Sequence, residues 1–338
     1  MLQASRLRSI MQAGRLRSIR FMHIKFPLPG FTQSEAIRIA EQHYAIGGSA
    51  EALPSERDQN FLIAGSFVLK IANVLEDREA LDLQNGALTH LATAAPDLKL
   101  PRVCKTITGK HILTVESDEG VHLVRLLTYV PARIFATVKP HTPELLKSLG
   151  KVIATLDVAL QDFQHPFANR DFKWDLTRAS WIREYLPHVE DAAKRAVVER
   201  YLAEYESSVL PVLRELRSTP IYNDANDYNI LVDPNKEEII GFIDFGDMVC
   251  APRVCDLAIA VAYASLYKDD PPAAAGHVIA GYHEKSPLTE QELQAILPLV
   301  CMRMCVSVVN SAYQRKAEPD NPYLTLTEKG AWDLLGKL

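Results

Sequence analysis

Residues 221–247 read IYNDANDYNILVDPNKEEIIGFIDFGD, and this stretch decides which fold the chain is expected to adopt. Two apolar runs rich in strand-forming residues, Asn229–Val232 and Ile239–Ile243, flank the polar residues 233–237, DPNKE. Short apolar runs on either side of a turn that contains proline and asparagine are typical of a β-hairpin. The stretch therefore predicts a hairpin whose two outer ends lie side by side.

Three oxygen-bearing side chains lie at those outer ends. Asp224 precedes the first strand, Asn229 opens it, and Asp244 follows the second strand. We expect the three to converge, and two carboxylates with a carboxamide offer the hard oxygen ligands that suit Mg²⁺ beside a phosphate. The alternative is that these residues only cap turns, which Asp and Asn favour in any protein. The arrangement leads to the hypothesis of phosphoryl transfer.

A lysine interrupts one apolar run upstream of the hairpin. The run 67–72, FVLKIA, predicts a strand, and Lys70 is its one charged residue. A buried ammonium group is costly unless an anion meets it, which suggests that Lys70 binds phosphate. In the alternative interpretation its stem packs on the sheet edge while the ammonium reaches water. The acidic hairpin downstream favours the phosphate interpretation.

Composition limits the functional classes that remain. The chain has 338 residues, of which 48% are hydrophobic and 23% charged, a globular composition with room for two lobes. A formal net charge of −5 argues against nucleic-acid binding, and we expect no membrane partner because no apolar run approaches about 20 residues. The five cysteines and ten histidines lack metal-ligand spacing, so we expect reduced thiols, a cytoplasmic location and no zinc centre.

The first 29 residues differ from the rest of the chain. The pattern Arg-Leu-Arg-Ser-Ile occurs twice there, and no acidic residue precedes Glu35. An arginine- and serine-rich start without acids is typical of an organelle-targeting segment. We favour a disordered extension, since nothing else in the sequence indicates an organelle. The chain is therefore divided into residues 1–29, an N-lobe of residues 30–130 and a C-lobe of residues 131–338.

The N-lobe alternates helix and strand signals, whereas the C-lobe is mainly helical. Predicted helices cover 32–43, 76–92, 143–161, 187–215 (one long helix or two shorter ones), 255–267, 271–284 and 289–314, and predicted strands cover 50–53, 60–64, 67–72, 111–115 and 122–127. Pro298 is expected to interrupt the last helix. The predicted fold class is α+β, with a small β-rich N-lobe and a large, mainly helical C-lobe.

The order of these features resembles the protein-kinase-like superfamily and its bilobal fold. A lysine-bearing strand, the spacing Asp224-x4-Asn229 and the tripeptide Asp244-Phe-Gly follow one another as in the kinase signature. The hairpin joins the last two directly, and residues 247–256 run straight into a helix instead of a long activation segment. The chain is thus similar to the aminoglycoside-phosphotransferase family of small-molecule kinases. Segments 55–60, 67–73, 81–84, 223–232, 244–248 and 318–325 resemble in particular the hydroxylysine kinases and their bacterial relatives.

The resemblance implies a role for each matching residue. Asp224 matches the catalytic-loop base that orients or deprotonates the acceptor hydroxyl. Asn229 and Asp244 match the ligands of Mg²⁺, and Lys70 matches the lysine that steadies the α and β phosphates. These roles agree with the chemistry, because phosphoryl transfer mainly needs positioning and neutralisation of negative charge.

The resemblance also implies nucleotide contacts elsewhere in the N-lobe. The hinge that contacts the nucleobase corresponds to four consecutive residues, Leu127, Thr128, Tyr129 and Val130. Gln84 lies nearest to the place of the helix glutamate that pairs with the lysine in kinases, with Asp82 and Glu79 as the acidic alternatives. Gln84 and the hinge are therefore expected to be nucleotide-binding residues.

The acceptor-binding residues follow less directly from the sequence. Asp227 and Asp247 are candidates for binding a cationic acceptor, with ordinary loop acids as the alternative. Trp174 is a further candidate, with a core tryptophan as the alternative. Asp256 is expected either to cap the helix that it begins or to brace the loop. Tyr222 stands where the family has a histidine two residues before the base, which prompts the alternative of a nucleotide-binding pseudokinase.

The implied activity is Mg²⁺-dependent transfer of the γ-phosphate of GTP or ATP to the hydroxyl of a small amine. 5-Hydroxylysine is the first choice of acceptor, and no residue of the sequence discriminates GTP from ATP. Choline, homoserine and aminoglycosides are the alternative acceptors.

Overall fold

The computed structural model describes residues 28–55, 57–316 and 327–338. The chain forms two compact units. The N-terminal unit comprises the described residues through Ala92 together with Leu100–Pro131, and the C-terminal unit comprises Thr93–Lys99 and the described residues from Ala132 onward. Most of the predicted extension and the segment 318–325 lie outside the described residues.

The N-terminal unit is built on one antiparallel sheet. Its elements are α1 (Gln33–Tyr44), β1 (Ala50–Leu53), β2 (Gln59–Ile63), β3 (Phe67–Ile71), α2 (Arg78–Ala94), β4 (Val103–Cys104), β5 (Leu113–Ser117) and β6 (Gly120–Thr128). The strand order is β1-β2-β3-β6-β4, and β5 pairs with β6. Thr32 begins α1 with a capping box, in which its side chain accepts from the Glu35 N–H and the Glu35 carboxylate accepts from the Thr32 N–H. The predicted strands of this unit are confirmed.

Alternation along β3 separates the core from the charged side chains. Leu69 and Ile71 are fully buried in a core that includes α1. Successive side chains of a strand point to opposite faces, so Lys70 lies on the face away from that core. Its partner across the ladder is Arg125 of β6. The apolar run around Lys70 therefore fills the core, while the lysine itself faces the other way.

The C-terminal unit is mainly helical. Its helices are α3 (Pro143–Leu160), α4 (Ile182–Tyr185), α5 (Ala192–Glu204), α6 (Leu210–Glu215), α7 (Val254–Ser265), α8 (Pro271–Lys285), α9 (Glu290–Arg315) and α10 (Glu328–Lys337), and its strands are β7 (Arg133–Ile134), β8 (Ser218–Ile221), β9 (Ile230–Val232), β10 (Ile239–Phe242) and β11 (Val249–Pro252). In the region 187–215, a π-helical turn over Tyr205–Val209 joins α5 and α6 into one continuous helical run. A β-rich first unit and a larger helical second unit confirm the predicted fold class.

Strands β9 and β10 form the predicted hairpin. They pair antiparallel, with Val232 opposite Ile239. Gly241 of β10 lies against the carbonyl of Lys99, and a Cβ atom there would stand 2.1 Å from that oxygen. Only glycine permits this approach, and beside it the Lys99 N–H donates to the Ile240 carbonyl at 2.8 Å. The hairpin is fixed by its own ladder and by this neighbouring segment.

Helix α9 contradicts one prediction. Pro298 lies inside this helix of 26 residues and does not interrupt it, so the expected break was wrong. A proline within a helix removes one backbone hydrogen bond. Most side chains of α9 between Ala295 and Ser311 are buried, and tertiary packing of this kind supplies most of the stability of a helix in a protein. The packing therefore outweighs the lost hydrogen bond.

Helix α9 is also long and apolar enough, by length and composition, to cross a membrane. Its most apolar 18-residue window has a mean hydropathy of 1.7, and 83% of that window is buried inside the protein. A helix that is hydrophobic all round is expected in the core of a large globular protein as well as in a membrane. Burial accounts for the apolar sequence of α9, and the expected lack of a membrane partner stays a prediction.

Candidate active site

The hairpin brings three predicted site residues together. Asp224 lies in the loop between β8 and β9, where its Oδ2 accepts a hydrogen bond from Asn229 Nδ2 at 2.6 Å. Its Oδ1 accepts from Asn226 Nδ2 at 2.9 Å. The N–H of Ile243 donates to the Asn229 carbonyl at 3.0 Å, which brings Asp244, the next residue, beside the start of β9. The predicted convergence of Asp224, Asn229 and Asp244 is confirmed.

Asn229 and Asp244 have the chemistry of Mg²⁺ ligands. The amide nitrogen of Asn229 donates to Asp224, so the amide oxygen is the atom left for a cation. Asp244 is exposed, and its Oδ1 accepts from the Gly246 N–H at 3.1 Å. Its φ of 59° is unusual for a residue with a side chain, and such strain concentrates at functional sites. The donor set and the strained backbone both fit a cation site.

The number of protein ligands also suits Mg²⁺. Within the described part of the chain, no group of three or more His, Cys, Asp or Glu side chains could hold a metal ion. Mg²⁺ bound together with a nucleotide takes only one or two carboxylates from the protein, because phosphate oxygens and water complete its shell. Asn229 and Asp244 meet that requirement, and their role as Mg²⁺ ligands stays a prediction.

A buried aspartate holds the loop that carries Asp224. The N–H groups of Tyr222 and Asn223 donate to the two carboxylate oxygens of Asp256 at 2.9 and 2.8 Å. Asn223 has a φ of 66°, and its amide nitrogen donates to the Asp247 carbonyl at 3.0 Å. Asp256 therefore stabilises a strained backbone, and of the two roles considered for it, bracing the loop is confirmed.

A second buried acid lies beside Asp256. Asp157 of α3 accepts from the Tyr282 hydroxyl at 2.6 Å, and its carboxyl group lies close enough to Asp256 for the two to affect each other's pKa. Burial is the main cause that raises the pKa of Asp256 to about 6. Burial, followed by the neighbouring Asp256 carboxylate, raises the pKa of Asp157 as well. The pair therefore holds a proton to a higher pH than isolated aspartates do.

Tyr222, which stands where the family has a histidine, braces the loop before Asp224. Its side chain is fully buried, with its ring centroid 5.2 Å from that of Phe242 and 4.9 Å from that of Phe245. Its hydroxyl donates to the carbonyl of Ile243. Burial, followed by nearby acids, raises the pKa of this hydroxyl well above its ordinary value, so it remains a donor. Tyr222 thus ties the loop before Asp224 to the residue before Asp244.

Arg303 of α9 is a site residue that was not predicted from the sequence. Its side chain is 2% exposed, and its Nη2 lies 3.6 Å from Asp224 Oδ1. Burial and then the charge of Asp247 raise the pKa of Asp224, whereas Arg303 lowers it. The available signal was a single arginine in the apolar run 299–309, LVCMRMCVSVV, which is the same signal that singled out Lys70.

The three predicted acceptor residues lie around the same loop. Trp174 is half-buried, and the guanidinium carbon of Arg303 lies 4.5 Å from its ring centroid. Asp247 is half-buried, and its charge acts on Asp224. Asp227 is half-buried in the loop itself, where burial raises its pKa. Trp174 and Asp247 are thus linked to Arg303 and Asp224, and Asp227 lies in the same loop as Asp224. Acceptor binding by the three stays a prediction.

In the N-terminal unit, Gln84 has a partner that the sequence did not indicate. Arg125 is 4% exposed and donates to the side-chain oxygen of Gln84 and, at 3.2 Å, to that of Asn85. Arg125 lies opposite Lys70 in the β3–β6 ladder. Gln84 is therefore anchored to a buried arginine of the sheet. Nucleotide binding by Gln84 and Lys70 stays a prediction.

The predicted hinge lies at the end of β6. Leu127 is buried, and the N–H of Thr128 donates to the Arg102 carbonyl at 2.9 Å. The N–H of Tyr129 donates to the Ser66 carbonyl at 2.8 Å. These two donors are used within the N-terminal unit, so a nucleobase would have to meet other backbone groups of this segment. Nucleobase binding by the hinge stays a prediction.

Comparison with known proteins gives the family. The model of the phosphotransferase enzyme family APH matches residues 49–296. The chain belongs to this family. Hydroxylysine kinase of Mus musculus is 32% identical over 340 residues, covering 92% of this chain and 90% of the mouse protein. Hydroxylysine kinase of Danio rerio is 31% identical over 336 residues, covering 94% of each protein. The predicted relationship to hydroxylysine kinases is confirmed, and the protein is a small-molecule kinase.

Solved structures with the same fold are also small-molecule kinases. Amicoumacin kinase hAmiN, in complex with AMP-PNP, Ca²⁺ and Ami, has a TM-score of 0.68 at 14% identity, covering 91% of this chain and 94% of that chain. A microcompartment-associated aminopropanol kinase has a TM-score of 0.61 at 17% identity, covering 90% of this chain and 96% of that chain. At these identities the likeness establishes the fold alone.

Proposed function

We propose that this phosphotransferase moves the γ-phosphate of GTP or ATP, with Mg²⁺, to the hydroxyl of 5-hydroxylysine. The observation that carries the proposal is the hydrogen-bonded pair of Asp224 and Asn229 at the end of the hairpin that bears Asp244. The hydroxylysine kinases that match this chain over nearly its full length support the choice of acceptor. The structure of amicoumacin kinase hAmiN in complex with AMP-PNP supports a nucleotide donor.

Asp224 acts as the base in this proposal. The acceptor oxygen forms a bond to the γ-phosphorus while the bond from that phosphorus to the β–γ bridging oxygen breaks, and the hydroxyl proton passes to the Asp224 carboxylate. Hydrogen bonds from Asn226 and Asn229 orient that carboxylate. Asn229 and Asp244 would hold Mg²⁺, which when bound neutralises charge on the phosphates.

The acids around the loop support an acceptor that carries an amine. In 5-hydroxylysine an ammonium group sits on the carbon next to the hydroxyl, so a hydroxyl at Asp224 brings a positive charge close to the base. Asp247 and Asp227 are half-buried carboxyl groups at this place. Opposite charges attract strongly where water is partly excluded. A neighbour that acts on an aminopropanol fits the same acceptor class.

A panel of acceptors tests the proposal. Purified protein with Mg²⁺ and either GTP or ATP is offered 5-hydroxylysine, choline, homoserine and an aminoglycoside, and phosphorylated product is measured. We expect the highest kcat/KM for 5-hydroxylysine. Preferential turnover of another acceptor would overturn the substrate, and nucleotide binding without turnover of any acceptor would favour the pseudokinase alternative. The same assay, repeated with EDTA and with each nucleotide, tests the Mg²⁺ requirement and the donor.

A further inference from the structure

Arg303 is a buried cation at the centre of an apolar helix. Its side chain is 2% exposed, and its neighbours Met302 and Met304 on α9 are fully buried. Burying a guanidinium group is costly unless it meets an anion and hydrogen-bond acceptors. An arginine at this position therefore needs a specific partner to be tolerated.

The partner is the candidate base. Arg303 Nη2 lies 3.6 Å from Asp224 Oδ1 and 3.4 Å from the Tyr263 hydroxyl, to which it donates. Arg303 Nη1 donates to the Trp174 carbonyl at 3.5 Å. The guanidinium carbon lies 4.5 Å from the ring centroid of Trp174 and 5.6 Å from that of Tyr263. Two aromatic rings and two hydrogen bonds thus hold the guanidinium in one place against Asp224.

This placement completes the support of the Asp224 carboxylate. Its Oδ2 accepts a hydrogen bond from the amide of Asn229. Its Oδ1 accepts one from the amide of Asn226 and forms an ion pair with the guanidinium of Arg303. The charges of Asp247 and Asp244 disfavour the ionised form of Asp224 and raise its pKa, whereas Arg303 lowers it. Without the arginine, repulsion from these acids would push the carboxylate away from them and loosen its orientation.

We propose that Arg303 is a positioning residue that fixes the Asp224 carboxylate in the orientation in which it accepts the acceptor proton. Trp174 and Tyr263 fix the arginine in turn. The proposal rests on the proposed function in one respect, the role of Asp224 as base. A purely structural arginine, which only fills the interior of the unit, is the competing explanation.

Steady-state kinetics separate the two explanations. Arg303→Met is compared with Arg315→Met, which removes an arginine of the same helix that pairs with Glu328 at the surface. A small misplacement of a reacting group costs about 100-fold in rate, so we expect kcat to fall by about that factor in Arg303→Met. Nucleotide affinity and acceptor KM should change by less than about threefold, since the lost interaction concerns the reaction step. Arg303→Lys should recover part of the rate, because lysine keeps the charge but lacks the planar fork.

A thermal double-mutant cycle measures the same coupling without turnover. Wild type, Arg303→Met, Asp224→Asn and the double variant are melted without substrates. We expect Arg303→Met to lower Tm more in the wild type than in the Asp224→Asn background, because only the wild-type background leaves the Asp224 carboxylate, which is 18% exposed, without its counter-charge. If Arg303→Met does not fold, the cycle is run with Arg303→Lys.

Two results would overturn the proposal. One is strict additivity of the two substitutions in the thermal cycle, and the other is an unchanged kcat in a folded Arg303→Met variant. A wild-type protein that phosphorylates no acceptor would defeat the proposed function instead, and the thermal cycle would still report whether Arg303 and Asp224 are coupled.

Discussion

Two parts of the C-terminal unit meet at Asp224, the hairpin region 221–247 and the helices α3, α7 and α9. The hairpin supplies its oxygen ligands through local hydrogen bonds, such as the one that joins Asn229 to Asp224 at 2.6 Å. The helices supply Asp256 and Arg303, which contact the loop, and Asp157, which lies beside Asp256. All three are buried and reach these places only through tertiary packing. The groups proposed to react therefore lie close together in the sequence, whereas the groups that hold them are distributed along the chain.

Asp224→Asn should have the largest effect of any single change in the hairpin. The amide cannot take the acceptor proton, so we expect kcat to fall by about 10²- to 10⁴-fold while nucleotide affinity is retained. Steady-state kinetics and nucleotide titration measure the two quantities. The control is Glu238→Gln, which neutralises a carboxylate on the same hairpin whose side chain is 60% exposed. Similar rates for Asp224→Asn and the control would mean that the base lies elsewhere.

Arg303→Met should have the second-largest effect, a fall in kcat of about 100-fold. It tests whether a helix residue far from the hairpin in sequence affects the chemistry nearly as much as a hairpin residue. If the substitution lowers Tm without lowering kcat, the helices stabilise the unit but do not affect the reaction.

Asp157→Asn tests the acid pair behind the loop through pH. The pKa of Asp256 is raised to about 6 and that of Asp157 is raised too, so between roughly pH 4 and pH 6 the native pair binds more protons than the unfolded chain. The free energy of unfolding contributed by the pair therefore falls as pH rises through this window. Removing one acid removes this trend. We therefore expect the free energy of unfolding of Asp157→Asn, relative to that of wild type, to rise by about 1 to 3 kcal/mol from pH 4 to pH 7.

Denaturant unfolding at the two pH values measures this difference. Asp162→Asn, a substitution of an exposed acid, serves as the control and should show no such trend. A stability difference between Asp157→Asn and wild type that stays constant with pH would show that the pair does not exchange a proton in this range.

Tyr222→Phe tests the contact that joins the two halves of the hairpin region. The substitution leaves the carbonyl of Ile243 without the tyrosine hydroxyl, and we expect the free energy of unfolding to fall by about 1 to 2 kcal/mol. Tyr228→Phe is the matched control, because Tyr228 is in the same loop and is 52% exposed. If Tyr222→Phe and Tyr228→Phe are equally stable, the Tyr222 hydroxyl does not brace the loop.

Arg315→Met should have the smallest effect, below about 1 kcal/mol on the free energy of unfolding. Arg315 lies on the same helix as Arg303, but its side chain is 44% exposed and its pair with Glu328 is at the surface. A larger loss than that of Arg303→Met would show that position on the helix, rather than contact with Asp224, decides the result.

The sequence determined the elements whose causes are local. A turn between two apolar runs predicts the hairpin, and the hairpin by itself brings Asp224, Asn229 and Asp244 together. Lys70 was conspicuous for an equally local reason, because it is the one charged residue in the apolar run 67–72.

Tertiary structure decided the features that depend on distant partners. Arg303 has the same sequence signal as Lys70, but only the packing of α9 shows that its partner is Asp224. Packing also keeps α9 helical on both sides of Pro298. In the N-terminal unit it brings Arg125 within hydrogen-bond distance of Gln84. These outcomes could not be predicted because the burial and long-range contacts that select among local alternatives are absent from any short stretch of sequence.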